Sequence, residues 1–297
     1  MSVNRRKILC IGSAALPALH ALTARAQTPA PRIVASFSIL ADMAQELAPA
    51  GAQVTALVGP DADAHVYEPS PADAKRLAQA DLVMINGLGF EGWIERMVKV
   101  SGYRGTVVVA SNGIQPRSGG HHGDDPHAWQ DLALARRYAG NISAAFAQRW
   151  PQQRNEIARC NADYVARVDS LDRQVREWLG AVPRAQRRVI TSHDAFGYFG
   201  AAYGVDFLAP QGWNTHSEPS AAAVARLIRQ IKTQGVRAIF MENISDRRLV
   251  ERIASEGGVR IGGTLYSDAL SKPGGPAATY LRLMEHNARS LATALQA

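Results

Sequence analysis

Residues 151–180 read PQQRNEIARCNADYVARVDSLDRQVREWLG, and this stretch decides the architecture. From Gln152 to Leu179 there is neither proline nor glycine, while Ile157, Tyr164, Val168, Leu171, Val175 and Trp178 recur at steps of three, four and seven residues. That spacing places them on one stripe of a single amphipathic helix. Pro151 suits the first turn, where a missing N–H costs nothing, and Gly180 suits the end. At ~1.5 Å per residue the helix spans roughly 40 Å. Helices of that length are uncommon as surface elements, so it reads as a rigid strut between two lobes.

Outward from the strut, one grammar appears twice. Strands are predicted over 32–37, 54–58, 81–86 and 106–110, with helical spacing over 39–47, 71–79 and 91–98. After the strut, strands are predicted over 189–190, 205–208, 238–241 and 261–266. Apolar runs alternating with helices specify a largely parallel sheet wrapped in helices. The expected fold is therefore α/β: two similar lobes, each a mainly parallel sheet flanked by helices, joined by one long backbone helix. The expected divisions are a leader at 1–26, an N-terminal lobe at 27–150, the linking helix at 151–181 and a C-terminal lobe at 182–297. Lobes of this size can each bury a core.

The leader carries Arg5, Arg6 and Lys7, an apolar run over 8–22, and Ala24-Arg25-Ala26. A charged start, an apolar middle and a small-residue exit form an export signal, cleaved here after Ala26. Pro17 and His20 interrupt the run, which falls short of the ~20 apolar residues of a membrane span. Arg5-Arg6 also resembles a twin-arginine signal. The leader holds four basic residues and no acidic one, so the net charge of +7 falls to +3 on cleavage. That is no electrostatic footprint for nucleic acid. Cys10 leaves with the leader and Cys160 remains alone, so no disulfide is expected. Cys10 sits near the start of the apolar run, whereas a lipid-attachment cysteine lies at its exit. A free periplasmic protein is the expectation.

Of eight histidines, His20 lies in the leader. His65 stands in Asp63-Ala64-His65, His127 in Asp125-Pro126-His127, and His193 just after the strand ending near Thr191. These are loops beside the carboxyl ends of strands, where open α/β sheets bind ligands. A single loop histidine is ordinarily solvated, whereas three converging imidazoles and one carboxylate make a zinc shell. Asp268, directly after the last strand, is either that carboxylate or a turn cap. Asp125 and Glu242 are candidate acceptors that would orient ligating imidazoles. His121 and His122, in a glycine-rich loop, would collect metal weakly or simply be solvated. His216 and His286 read as ordinary polar residues.

Six segments recur in family order: His65-Val66-Tyr67-Glu68-Pro69-Ser70-Pro71, Ala80-Asp81-Leu82-Val83 through Asn86-Gly87-Leu88-Gly89, Asp125-Pro126-His127-Ala128-Trp129, Thr191-Ser192-His193-Asp194-Ala195-Phe196, Ser217-Glu218-Pro219-Ser220 and Tyr266-Ser267-Asp268. In these the chain resembles the zinc and manganese solute-binding proteins of ABC importers, cluster A-I. The resemblance implies an ion held between the lobes by His65, His127, His193 and Asp268. It implies a monomer that hands Zn²⁺ to an ABC importer permease in the inner membrane, with a periplasmic zinc chaperone as an optional second partner. Manganese is the alternative cargo, but three nitrogens and one carboxylate suit zinc, and manganese prefers more oxygen. A zinc hydrolase is the alternative class. Catalytic zinc keeps three protein ligands and an open position, whereas here four ligands come from four segments and no His-Glu-x-x-His helix exists. No catalytic residue is expected. The chain departs from some zinc members in lacking a second-lobe disulfide and a long histidine-rich loop.

Overall fold

The computed structural model describes residues 30–118 and 123–296. The leader expected at 1–26, His121 and His122 thus lie outside the described residues. The first sheet is built from β1 (Arg32–Phe37), β2 (Gln53–Val58), β3 (Leu82–Ile85) and β4 (Thr106–Val109), in the order β2-β1-β3-β4 and parallel throughout. Five of the six residues of β1 are buried. Burial on both faces is why a parallel strand reads as a continuous apolar run instead of an alternating one. Helices α1 (Ser38–Leu47), α2 (Pro71–Ala78) and α3 (Ile94–Ser101) connect these strands. Helix α2 begins where Ser70 and Asp73 cap each other reciprocally, with Pro71 in its first turn.

A short antiparallel hairpin, β5 (Arg117–Ser118) with β6 (Asp124–Asp125), follows β4. Next come α4 (Leu132–Arg149) and α5 (Arg154–Gly180). The predicted strut is α5, but it starts after a 3₁₀ turn at Pro151–Gln153. Its buried stripe ends on Leu179 and not on Trp178, whose ring is instead covered by Arg289, 4.1 Å from the ring centre.

The second half repeats the first. Strands β7 (Arg188–Ile190), β8 (Asp206–Leu208), β9 (Ala238–Glu242) and β10 (Ile261–Leu265) form a parallel sheet ordered β10-β9-β7-β8, with α6 (Gly197–Tyr203), α7 (Ala221–Gln234), α8 (Arg247–Gly257) and α9 (Tyr280–Gln296) around it. Read from the other edge, that order is β8-β7-β9-β10, the topology of the first sheet with each strand replaced by its counterpart.

The sequence predicts a separate core in each lobe, whereas the two halves share one. One apolar cluster runs from Ile33 to Leu295 through both halves, and only a smaller one, including Ile190, Leu227, Ile239 and Ile253, is private to the second sheet. Helix α5 is the reason: its single stripe meets α1 and α4 from the first half and α6 and α9 from the second. Each fully buried aliphatic on that stripe contributes ~1.5–3 kcal/mol. No helix among the described residues is long and apolar enough to cross a membrane.

Candidate metal centre

Four loops, each downstream of the carboxyl end of a strand, deliver four side chains to one point between the sheets. His65 follows β2, His127 follows the β5–β6 hairpin, His193 follows β7 and Asp268 follows β10. Each offers one ligating atom, and these atoms all lie within 4.8 Å of one another. His127, His193 and Asp268 are fully buried and His65 is 4 % exposed. Asp268 is the hub. Its Oδ2 is 3.2 Å from His65 Nε2 and 3.1 Å from His193 Nε2, and its Oδ1 is 3.5 Å from His127 Nε2.

Local chemistry aims each imidazole. Asp63 and Asp125 stand two residues before His65 and His127, and each accepts the histidine's backbone N–H on Oδ1, at 2.8 and 3.0 Å. These are Asx turns, in which a short carboxylate replaces a backbone acceptor. Asp125 Oδ1 also lies 2.8 Å from His127 Nδ1, which leaves Nε2 to face Asp268. Glu242 does the same for His193: Oε1 accepts the backbone N–H of Ser192 and of His193, and Oε2 is 2.7 Å from the ring Nδ1. Both candidate acceptors thus stand against an imidazole. The carbonyl of Ser267, beside Asp268, accepts from Trp129 Nε1 at 3.0 Å and Gln130 Nε2 at 2.8 Å, tying the loop of Asp268 to the turn after His127.

Phe90 meets the His65 ring edge-on at 4.7 Å, and Trp129 meets the His127 ring at 5.2 Å. Inside this aromatic wall, His65 Nε2, His127 Nε2 and Asp268 Oδ1 have no aligned hydrogen-bond partner. A buried polar atom left so costs ~1–3 kcal/mol. A divalent cation among them would satisfy all three at once, which is what such a donor set is fitted to do.

The electrostatics agree. Burial opposes charge on His127, but the Asp268 carboxylate and the hydrogen bond to Asp125 outweigh it and push the imidazole up to about 9. His193 is likewise raised well above its ordinary value, burial being overcome by Glu242 and Asp268. His65 has no second carboxylate on its ring, and burial lowers it despite Asp268. Asp268 is held well below the usual carboxylate range by His193 and His127, against its own burial.

Among the described residues, the other two histidines do not join. His216 is exposed, and His286 bonds the Thr264 carbonyl from α9. Sequence reasoning missed the residues that hold the loops from a distance. Asn86 Nδ2 donates to the Pro126 carbonyl at 2.9 Å, and Tyr198 donates its hydroxyl to the Asp125 carbonyl at 3.0 Å. Both lie in segments already conspicuous in the sequence, but only the fold gives them these partners.

Comparison with known proteins places this geometry in context. The family described as "ZnuA: Zinc-uptake complex component A periplasmic" matches residues 33–294. The manganese-binding lipoprotein MntA of Halalkalibacterium halodurans is 31% identical over 265 residues, covering 89% of this chain and 88% of its own. The iron-binding protein YfeA of Yersinia pestis is 30% identical over 266 residues, with 88% and 85% covered. The zinc-binding protein TroA of Treponema pallidum is 31% identical over 273 residues, with 89% of each chain covered. Its solved structure superposes with a TM-score of 0.86 at 30% identity, over 90% of this chain and 99% of that one. These are transport components and not enzymes, so the hydrolase reading falls away. The chain belongs to the zinc-uptake component A family, the metal-binding solute receptors of ABC importers.

Proposed function

We propose that this receptor carries zinc, held by His65, His127, His193 and Asp268, and delivers it to an ABC permease from the periplasm as a monomer exported by its leader. The observation that carries the reading is the donor set. Three buried imidazole nitrogens and one carboxylate lie within 4.8 Å of one another, a His₃Asp donor set of the kind that zinc takes in a tetrahedron. Zinc takes that set readily, whereas manganese favours six oxygen-rich ligands. A periplasmic zinc chaperone is compatible with this role but has no residue here that speaks for it.

Manganese is the second reading, supported by the manganese-binding MntA and by the family's spread across zinc, manganese and iron. Competition of Zn²⁺ and Mn²⁺ against a calibrated chelator separates the two. The expected result is one tight zinc per chain, weakened at least ~10-fold by His193→Ala or Asp268→Ala in a folded protein, with manganese unable to displace it. Manganese outcompeting zinc at equal concentration would replace the cargo. Full-strength zinc binding in both variants would remove the site.

A further inference from the structure

Two successive carbonyls precede His127, and each is held by a side chain from a different half of the molecule. Asn86, at the end of β3 in the first half, donates to the Pro126 carbonyl at 2.9 Å. Tyr198, in α6 of the second half, donates to the Asp125 carbonyl at 3.0 Å and accepts the backbone N–H of Arg117 at the same distance. Its hydroxyl thus bridges both strands of the β5–β6 hairpin. The Tyr198 residue is 4 % exposed. The approach is close enough to need a glycine beside it: a Cβ on Gly197 would meet Asp125 Oδ2 at 2.8 Å and Arg117 Nε at 3.1 Å.

We infer that Tyr198 is a positioning residue for His127 and a determinant of metal selectivity. Its effect passes through Asp125. With the Asp125 main chain pinned from the opposite half, the carboxylate keeps Oδ1 on His127 Nδ1, and Nε2 keeps its aim at the ion. Outer hydrogen bonds of this kind fix ring orientation and are typically worth ~10–100-fold in metal affinity. A tetrahedral zinc shell depends on the direction of every nitrogen, whereas manganese, with higher coordination and water ligands, tolerates a swung ring. The Tyr198 hydroxyl therefore favours zinc over manganese. It also makes the aim of a first-half ligand conditional on contact with the second half, so separating the halves loosens His127 without touching it.

The inference rests on the four-residue site proposed above, and the test separates the two. Co²⁺ in the wild-type protein reports the site: strong visible bands mark a tetrahedral shell, and a weak spectrum would overturn the site and the inference together. With a tetrahedral wild type, Tyr198→Phe keeps the ring and loses only the hydroxyl. It is expected to weaken zinc binding ~10-fold, dim the Co²⁺ bands and narrow the zinc-to-manganese ratio. Gly197→Ala is the second variant. If Asp125 has no bearing on the ion, the added methyl changes stability at most and leaves zinc affinity and the Co²⁺ spectrum of the folded protein unchanged. Displacement of Asp125 predicts weaker zinc, dimmer Co²⁺ bands and a narrowed ion ratio in the folded variant. Wild-type zinc affinity, Co²⁺ spectrum and ion ratio in a folded Tyr198→Phe protein would overturn the inference. If that variant fails to fold, the same result in Gly197→Ala would do so.

Discussion

On the proposed site, protons and the ion compete for the same nitrogens, and the carboxylates around His127 and His193 make that competition severe. In the metal-free protein both imidazoles hold protons at neutral pH, His127 with a value of about 9 and His193 raised well above the ordinary one, while His65 is lowered and holds none. Binding at Nε2 must expel those protons. Zinc capture at pH 7 is therefore expected to release about two protons per ion, measurable by calorimetry in buffers of different ionisation enthalpy. Apparent affinity should rise up to ~100-fold per pH unit between pH 6.5 and 8, with the gain shrinking towards pH 9. The metal-free fold runs the other way. A histidine value raised in the folded state contributes stability that is complete below ~6.5 and lost as pH rises through about 9. Release of less than half a proton would show that neutral imidazoles are already present in the metal-free site.

Among the elements, the contact between α1 and α9 carries a buried charge that can be removed. Asp42 accepts the Tyr280 N–H at 2.8 Å, and burial, only partly offset by that bond, raises its carboxyl to about 6. The folded state therefore binds more protons than the unfolded chain between pH ~4 and ~6, and stability falls as pH rises across that window. Asp42→Asn keeps an acceptor and drops the charge. Urea unfolding should find it ~1–2 kcal/mol more stable than wild type at pH 7 and no more stable at pH 4. A loss of stability at pH 7 would mean the carboxylate is needed as a charge, against Arg167.

The strands and α5 were legible because buried parallel strands are unbroken apolar runs and α5 is an uninterrupted periodic stripe. Helix α4 was not, since LALARRYAGNISAAFAQR sets Ala135, Ala139 and Ser143 on its buried face, where large apolar residues would mark it. The hairpin escaped because strands of two residues have no period. At the site, histidines after strands were visible, and Asp125 and Glu242 were guessed from the need for acceptors. Tyr198 and Asn86 were beyond reach, because a partner 73 or 40 residues away leaves no trace in local spacing.

For the molecule as a whole, the shared core means that neither half melts alone. The cluster from Ile33 to Leu295 crosses both sheets through α4, α5 and α9. Far-ultraviolet and near-ultraviolet signals should therefore follow one thermal transition, and zinc at 100 times its dissociation constant should stabilise the fold by ~2.7 kcal/mol. Two separated transitions in the metal-free protein would contradict the shared core. The bonds on the rim point elsewhere. Thr215 Oγ1 donates to Asp63 Oδ2 at 2.5 Å and Asn243 Nδ2 to Asp61 Oδ1 at 3.0 Å, each spanning the two halves beside a sealed set of ligands. On the proposed site these rim contacts stand between solvent and an ion held by His127, His193 and Asp268, all three of which are fully buried. Release of that ion would then require the Thr215–Asp63 and Asn243–Asp61 bonds between the halves to break.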